Sequence, residues 1–551
     1  MRLRFLVPAA VACLATGLLH CGSDMPAAAG KDAGKDAIAL PEPDAGTGTD
    51  ADAAAELPPP PPPPPGCPGN VLPTENECMV HESYGVFVSA SKGSPAGDGS
   101  RTNPLKSVSA AIAAAKSSGR RVYACAETYD EVLTLADGIA VFGYFDCASS
   151  WKVGATRATI APKTEGVAAR AASIGKPTRI EGFAIKAADA TSPGGSSIGL
   201  IAQDAGGLSF FDVGITAGTA MAGEDGIPGV QLTQAGNIDG EDGLDSTIGY
   251  LVNDGRNAAE YGRMRAGGVS QCVGVAGKNG GPGGAGGKNG RYNTVNRISG
   301  AYCKPGPAAG VPVCVYNLYG GDTRADGTPR PGSTDTARGG SETDAALSGT
   351  TSVSGVSGVN GGSGTFGPDG YHGENGRQGT DGSPGQGGGG GSSVRPDTIP
   401  GDDLTRWGIV GAGGGAGGCP GLAGTPGKAG GASVAVVAIR SVMHFDAKSL
   451  LAAQSGGTGG KGTRSSAPTA GGRPGFNPSG KEFSAGGFGA SGSVAGFSGH
   501  GGSGPSVGVA WTGSQPVVET TPTVGEPAPG QPSDDAIPAS APGVAEPFLR
   551  F

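Results

Sequence analysis

The sequence predicts an all-β chain: a solenoid of short strands, opened by one capping helix and interrupted by glycine-rich insertions. Three observations predict it. Segments SSIGLIAQDAGGLSFFDVGITAG (196–218), ASVAVVAIRSVMHFDAKSLLAAQSG (432–456) and PSVGVAWTGSQPVVETTPTVG (505–525) resemble one another, each opening on a Ser-(Ile/Val)-(Gly/Ala)-(Leu/Val) step at Ser197, Ser433 and Ser506. Alternating apolar residues follow in the first two, with a second short strand at 208–215 and 442–447, which suits one coil of a solenoid better than a sandwich. Further short strands are expected at 121–125, 139–144, 158–161 and 178–185, parted by Gly, Asp or Pro turns. Finally, 109 glycines in 551 residues and 5% aromatics leave no material for a thick aromatic core.

From the N-terminus, MRLRFLVPAAVACLATGLLHC (1–21) sets Arg2 and Arg4 before a short apolar run, an export signal too short for a membrane span. Leu18-Leu19-His20-Cys21 resembles a bacterial lipobox, although His20 stands where a small residue is expected. Cys13, inside the apolar run, is the poorer candidate. Lipidation is therefore expected at Cys21, with the chain exported and held in the cell envelope, at the outer membrane and facing outward. Residues 22–66 are Ala, Asp, Gly and Pro, a disordered tether. Its eight prolines at 58–65 form a stiff rod of roughly 25 Å.

The cap and first coils are expected at 67–218, an insertion at 219–431, a coil at 432–456, an insertion at 457–504, a last coil at 505–519 and a disordered Pro-rich tail at 520–551. The helix is expected at 104–118, with Pro104 in its first turn, Val108, Ala111, Ile112 and Ala115 on one face, and Gly119 ending it. Such a helix covers the open first coil, which otherwise exposes unpaired backbone.

GVFVSASKGSPAGDGSRTNPLKSVSAAIAAAKSSGRRVYACAETYDEVLTLADGIAVFGYFD (85–146) resembles the N-terminal part of the pectin-lyase-like superfamily. The shared signature is a strand, a GDGS–NP loop, a capping helix, a strand and a Tyr-Asp-Glu turn at 129–131. The resemblance implies a right-handed parallel β-helix, and in that superfamily the segment is structural and confers no activity. In composition the whole chain is similar to Gly-rich surface lipoproteins of myxobacteria and related bacteria.

Glycine keeps period three from Gly355 to Gly391, from Gly274 to Gly286 and from Gly418 to Gly430. Period three belongs to the polyproline II helix, and glycine on one edge lets another backbone approach. Side-by-side rods of one chain, a polyglycine II bundle, are expected; flexible disordered Gly loops are the main alternative, and a collagen trimer the lesser one because Pro and ordered charge pairs are too few. The two 13-residue runs, about 40 Å each as rods, are expected to lie side by side, stapled by Cys272 and Cys419 near their starts. A monomer follows.

Of the 10 cysteines, Cys13 and Cys21 lie in the leader; the remaining Cys67, Cys78, Cys125, Cys147, Cys272, Cys303, Cys314 and Cys419 read as disulfides in an exported chain. Eight cysteines allow on the order of a hundred pairings. Proximity favours Cys67–Cys78, Cys125–Cys147 and Cys303–Cys314, leaving Cys272–Cys419. No CxxC pair points to zinc, and GPDGYHGENG lacks the calcium β-roll nonapeptide.

No catalytic residue, metal ligand or cofactor site is expected. Gly401-Asp402-Asp403 and Gly499-His500-Gly501 echo polygalacturonase motifs, but they lie about 100 residues apart and the Asn-Thr-Asp and Arg-Ile-Lys companions are missing. His81, His372 and His444 are scattered, Ser197, Ser433 and Ser506 have no His partner in any motif, and Trp151, Trp407 and Trp511 read as core or cap residues. A net charge of −9 argues against nucleic acid. The expected role is structural or adhesive, with a membrane bound through the lipid and a polysaccharide or cell-surface protein as partner. The rival is a carbohydrate-active enzyme or glycan-binding module of the same fold. A ladder of acidic and basic side chains on one face favours the rival; Ser, Thr and Gly there favour the structural role.

Overall fold

The computed structural model describes residues 62–69, 71–244, 265–287, 346–350, 353–392, 409–476, 478, 480, 484–534 and 536–551, and the strand backbone of 247–249, 302–305, 312–315 and 405–407. Cys21, the expected leader and most of the tether lie outside the described residues. Among the described residues no helix is long and apolar enough to cross a membrane.

The helix spans Val108–Ser118 and buries Val108, Ala111, Ile112 and Ala115. It starts later than expected because Ser107, not Pro104, caps it: the Ser107 hydroxyl accepts the Ala110 N–H, a service proline cannot perform. Glu131, last of the Tyr-Asp-Glu turn, completes the cap. Its carboxylate accepts the N–H groups of Val108 (2.7 Å) and Ser109 (3.1 Å) and the Ser107 hydroxyl (2.6 Å). Tyr129 is buried, and its hydroxyl meets the carbonyls of Val88 and Cys125. Gly119, at φ 64°, ends the helix in the left-handed conformation.

Among the described residues the chain is mostly β, with this helix and a short 3-10 turn at Glu77–Met79, and its main strands form three parallel sheets. Arg121–Cys125, Val141–Asp146, Thr178–Glu181, Leu208–Phe211, Met443–Phe445 and Val517–Val518 belong to the first sheet. Thr128–Tyr129, Ala158–Ile160, Phe183–Lys186, Gly214–Thr216 and Leu450–Ala452 make the second. Leu133–Leu135, Gly166–Ala172, Ser197–Gln203, Ser433–Ile439, Ser506–Thr512 and Ala545–Arg550 make the third. From Arg121 onward the chain visits first, second and third sheet in fixed order, and like positions of successive circuits stack. Ser197 pairs with Ser433 and Ser433 with Ser506. Inside, Ile180, Phe210 and Phe445 form one ladder, the two rings stacked at 4.4 Å. The core is thus ladders of aliphatic side chains with few rings, each buried side chain contributing about 1.5–3 kcal/mol.

The expected strand at 178–185 is divided by Gly182 (φ 73°), where a Cβ would sit 2.6 Å from the Tyr144 ring. Ser173, Asp204, Arg440 and Gly513 occupy the same corner of successive circuits, all with positive φ. There Asp204 accepts two bonds from the Arg440 guanidinium (2.7 and 2.8 Å).

Both large insertions leave the circuits between second and third sheet, after Thr216 and after Ala452, with strands resuming at Ser433 and Ser506. The recurrent serines clasp these exits. Ser433 donates to the Gly218 carbonyl (2.7 Å) and accepts the Gln454 N–H (2.9 Å); Ser197 accepts the Gly218 N–H, and Ser506 the Gly525 N–H. The described glycine segments of the insertions run as extended rods joined through backbone. Gly415, Gly418, Gly421, Gly427 and Gly430 donate to carbonyls of Gly487, Ala490, Ser493, Gly499 and Gly502 at 2.8–3.1 Å, a parallel pairing. Gly382, Gly385, Gly388 and Gly391 donate to Gly421, Gly418, Gly415 and Ala412, and Gly472 and Gly475 to Ala416 and Gly413, both antiparallel. The rod at 411–431 is central, and close approach excludes side chains: a Cβ on Gly417 would lie 1.8 Å from the Gly385 carbonyl oxygen.

Disulfides join Cys67–Cys78, Cys125–Cys147 and Cys272–Cys419. Cys303 and Cys314 oppose each other in an antiparallel register, with their side chains outside the described residues. Two expectations need correction. The runs at 274–286 and 418–430 do not lie side by side: Gly274 and Gly277 have positive φ and turn the chain, and Gly281, Gly284 and Gly287 instead accept from Gly417, Gly414 and Gly411, just before Cys419. The described residues of the tail, 520–534 and 536–551, are ordered. Thr523 bridges to Ala452, Ala528 and Ile537 are buried, and Ala545–Arg550 adds to the third sheet because Phe548 and Leu549 give it apolar side chains to pack.

Candidate functional site

The outward side of the first sheet carries a charged and aromatic cluster. Alternation along Thr178–Glu181 turns Ile180 inward and Arg179 and Glu181 outward. Register sets Ser209 between Arg179 and His444, and Glu181 beside Phe211. Arg179 Nε donates to Glu181 (2.6 Å), and its guanidinium lies 3.5 Å over the Phe211 ring. His444 Nε2 sits 3.0 Å from Glu519. At the next corner, Asp212 accepts the Tyr144 hydroxyl (2.7 Å) and pairs with Arg157. Burial opposes the Asp212 charge, but Arg157 and Tyr144 outweigh it and hold the carboxyl below its usual range. Burial, then the bond to Asp212, pushes the Tyr144 phenol far up.

Tyr144 also borders a cleft of about 510 Å³ with Ser91, Lys92, Glu127, Asp146 and Thr156. Glu127 accepts the Ser91 hydroxyl (2.5 Å) and N–H (3.1 Å) and the Ser89 hydroxyl (3.1 Å); burial works against its ionisation, yet these donors keep its pKa low. Asp146 is lowered by Ser149 and the N–H of Ala148. Lys92 donates to the Cys147 carbonyl (3.1 Å). The cleft therefore offers ionised acceptors beside an aromatic ring, a set that receives hydroxyl donors. Among the described residues every carboxyl with a shifted pKa is shifted down. A carboxylic acid that protonates a glycosidic oxygen needs the opposite shift.

No family model matches this chain, and no curated protein matches it. Among solved structures, 26% of the chain is similar to 28% of the GH136 lacto-N-biosidase from Eubacterium ramulus, at 14% identity and a TM-score of 0.18. The chain thus spans about a quarter of that enzyme's length, and so slight a likeness carries no argument about fold or activity.

The residues singled out in the sequence are not drawn together here. Asp402 and Asp403 lie outside the described residues. His500 is buried in a glycine rod: Nδ1 accepts the Gly462 N–H (2.9 Å), the His500 backbone N–H donates to Asn360 Oδ1 (2.9 Å), and Nε2 is buried without a partner. Burial lowers its pKa. His81 contacts Ser83, and His372 pairs with Asp369. Trp151 packs edge-on to Phe87 in the N-terminal core, Trp511 lies under Arg550, and the Trp407 side chain is outside the described residues. Among the described residues no group of three His, Cys, Asp or Glu is placed to hold a metal. The face residues Tyr144, Arg157, Arg179, Glu181 and Asp212 went unread because no motif contains them. The available signal is the alternation along Thr178–Glu181, which sets Arg179 and Glu181 on the face opposite Ile180.

Proposed function

We propose that this chain is a cell-surface lipoprotein with a structural or adhesive role, its circuits a right-handed parallel β-helix and its insertions a polyglycine II bundle. The bond pattern of the rods carries this reading. Donation by every third residue matches the three residues per turn of polyproline II. Rods of one chain bond to several neighbours, unlike three collagen chains around one axis. Function follows from stiffness: backbone bonds hold the element rigid while exposed residues make many weak contacts. Export through residues 1–21, lipid on Cys21 and the tether at 22–66 would display it outward as a monomer. The test is radiolabelled palmitate in a bacterium that processes lipoproteins, followed by protease shaving of intact cells. Label and shaving that both vanish in Cys21→Ala support the display; label that persists removes its anchor.

The charged face favours a second reading, a glycan-binding module of the same fold. Depressed carboxyls suit binding better than hydrolysis. Calorimetry against a polysaccharide panel, with new reducing ends and unsaturated uronates followed in parallel, separates the outcomes. Binding without release supports the module, release establishes an enzyme, and neither leaves the scaffold.

A further inference from the structure

His500 stands on a seam of the glycine bundle. Segments 457–463 and 498–504 run antiparallel there, and Ser498, Gly501 and Gly504 donate to the carbonyls of Thr463, Gly460 and Gly457 (2.8–2.9 Å). Inside the seam the Gly462 N–H donates to His500 Nδ1 (2.9 Å), so that nitrogen carries no proton and the ring's own N–H is on Nε2. Nε2 meets no acceptor, and the residue is 4% exposed. The tail bridges the seam. Gln531 donates to the Gly459 carbonyl (2.6 Å) on one side, and the Ser503 hydroxyl donates to the Pro529 carbonyl (2.9 Å) on the other. Asn360, from the rod beyond, accepts the His500 backbone N–H and donates to the carbonyls of Pro538 and Ala539 (3.0 Å each). Charged groups surround the ring without bonding to it. Asp534 and Asp225 favour its cation from a distance and Lys461 opposes it. Arg464 is paired with Asp534 (3.2 Å), and the Glu374 carboxylate accepts the Gly362 N–H (3.1 Å). Arg377 and Lys428 adjoin through their carbonyls, which accept from Gly499 and Gly460.

We infer that His500 is an acid-operated latch: a proton on Nδ1 breaks the bond to Gly462, opens the seam and releases the tail that bridges it, while the circuits stay folded. The protonated ring would turn one donor against another, leaving a buried cation with two N–H groups and no acceptor. Opening relieves this by putting the cation in water. The sign follows from burial, which holds the closed ring below its ordinary value of 6.5. Closure is complete above that value and weakens as pH falls, by up to about tenfold per pH unit for the one proton taken up. The circuits have no such trigger at their centre, since the strand Ser433–Ile439 carries no titratable side chain.

The experiment compares amide exchange of the full chain at pH 7 and pH 5, corrected for the intrinsic rate. Peptides covering 457–463, 498–504 and 528–543 should lose protection about threefold or more at pH 5, with Ser433–Ile439 unchanged. His500→Asn places an amide oxygen where Nδ1 stands and should keep the seam closed at both pH values. In parallel, the His500 ring is titrated by NMR in the unaltered chain, and its midpoint should coincide with the opening. Should His500→Asn fail to fold, that coincidence decides. The inference is overturned if the seam opens equally in a folded His500→Asn, if the ring titrates while the seam stays closed, or if seam and strand lose protection together.

Discussion

At the residue scale, the chain depends on positions where one atom too many or too few is decisive. A methyl on Gly417 has no space beside the Gly385 carbonyl, and Gly417→Ala should destabilise by about 1–3 kcal/mol or more, as overpacking does; a urea titration reads the loss. Ser433→Ala strands the Gly218 carbonyl and the Gln454 N–H at the mouth of the long insertion and should cost about 1–3 kcal/mol. His500 makes the protein acid-sensitive. Asp534 and Asp225 favour its cation and Lys461 opposes it, but burial dominates and the folded pKa lies below the ordinary value of 6.5. Its contribution is therefore complete above that value and is lost as pH falls below it. Urea midpoints from pH 7 to pH 5 should drop, with a slope of up to about 1.4 kcal/mol per pH unit from this group, and His500→Gln should flatten that slope. The serine repeat was visible in the sequence, but its clasp was not, because the carbonyl that Ser433 meets lies 215 residues earlier.

At the element scale, local signals located most strands and the helix within a few residues, and cross-chain contacts decided the rest. Ser107 and Gly119 mark the helix ends locally, whereas Glu131 reaches its cap from the next turn of chain. Glu131→Ala should lower stability by about 1–2 kcal/mol, seen as a shift in thermal midpoint that a far-UV spectrum follows. Period three announces rods but carries no address for the partner rod, which is why the run after Cys419 was paired wrongly with the run after Cys272. The tail misled for a related reason. Its Pro and Ala content reads as disorder, while two apolar residues, Phe548 and Leu549, suffice to join a sheet whose edge is already formed. The charged face was illegible because its members adjoin only through the register of successive circuits, about 30 or more residues apart in the chain.

At the scale of the whole molecule, the circuits supply apolar ladders and the insertions supply backbone bonds, and the serine-clasped corners tie the two. The Cys272–Cys419 disulfide closes a loop across 147 residues inside the bundle. Its removal by paired Cys→Ser substitution should cost about 2–5 kcal/mol and should loosen the bundle more than the circuits. The central claim is that the glycine segments are hydrogen-bonded rods of one chain. Amide hydrogen exchange read by mass spectrometry tests it most directly. Peptides covering 411–431 and 487–504 are expected to exchange as slowly as the strand Ser433–Ile439. Complete exchange of those peptides within seconds, beside a protected strand, would contradict it.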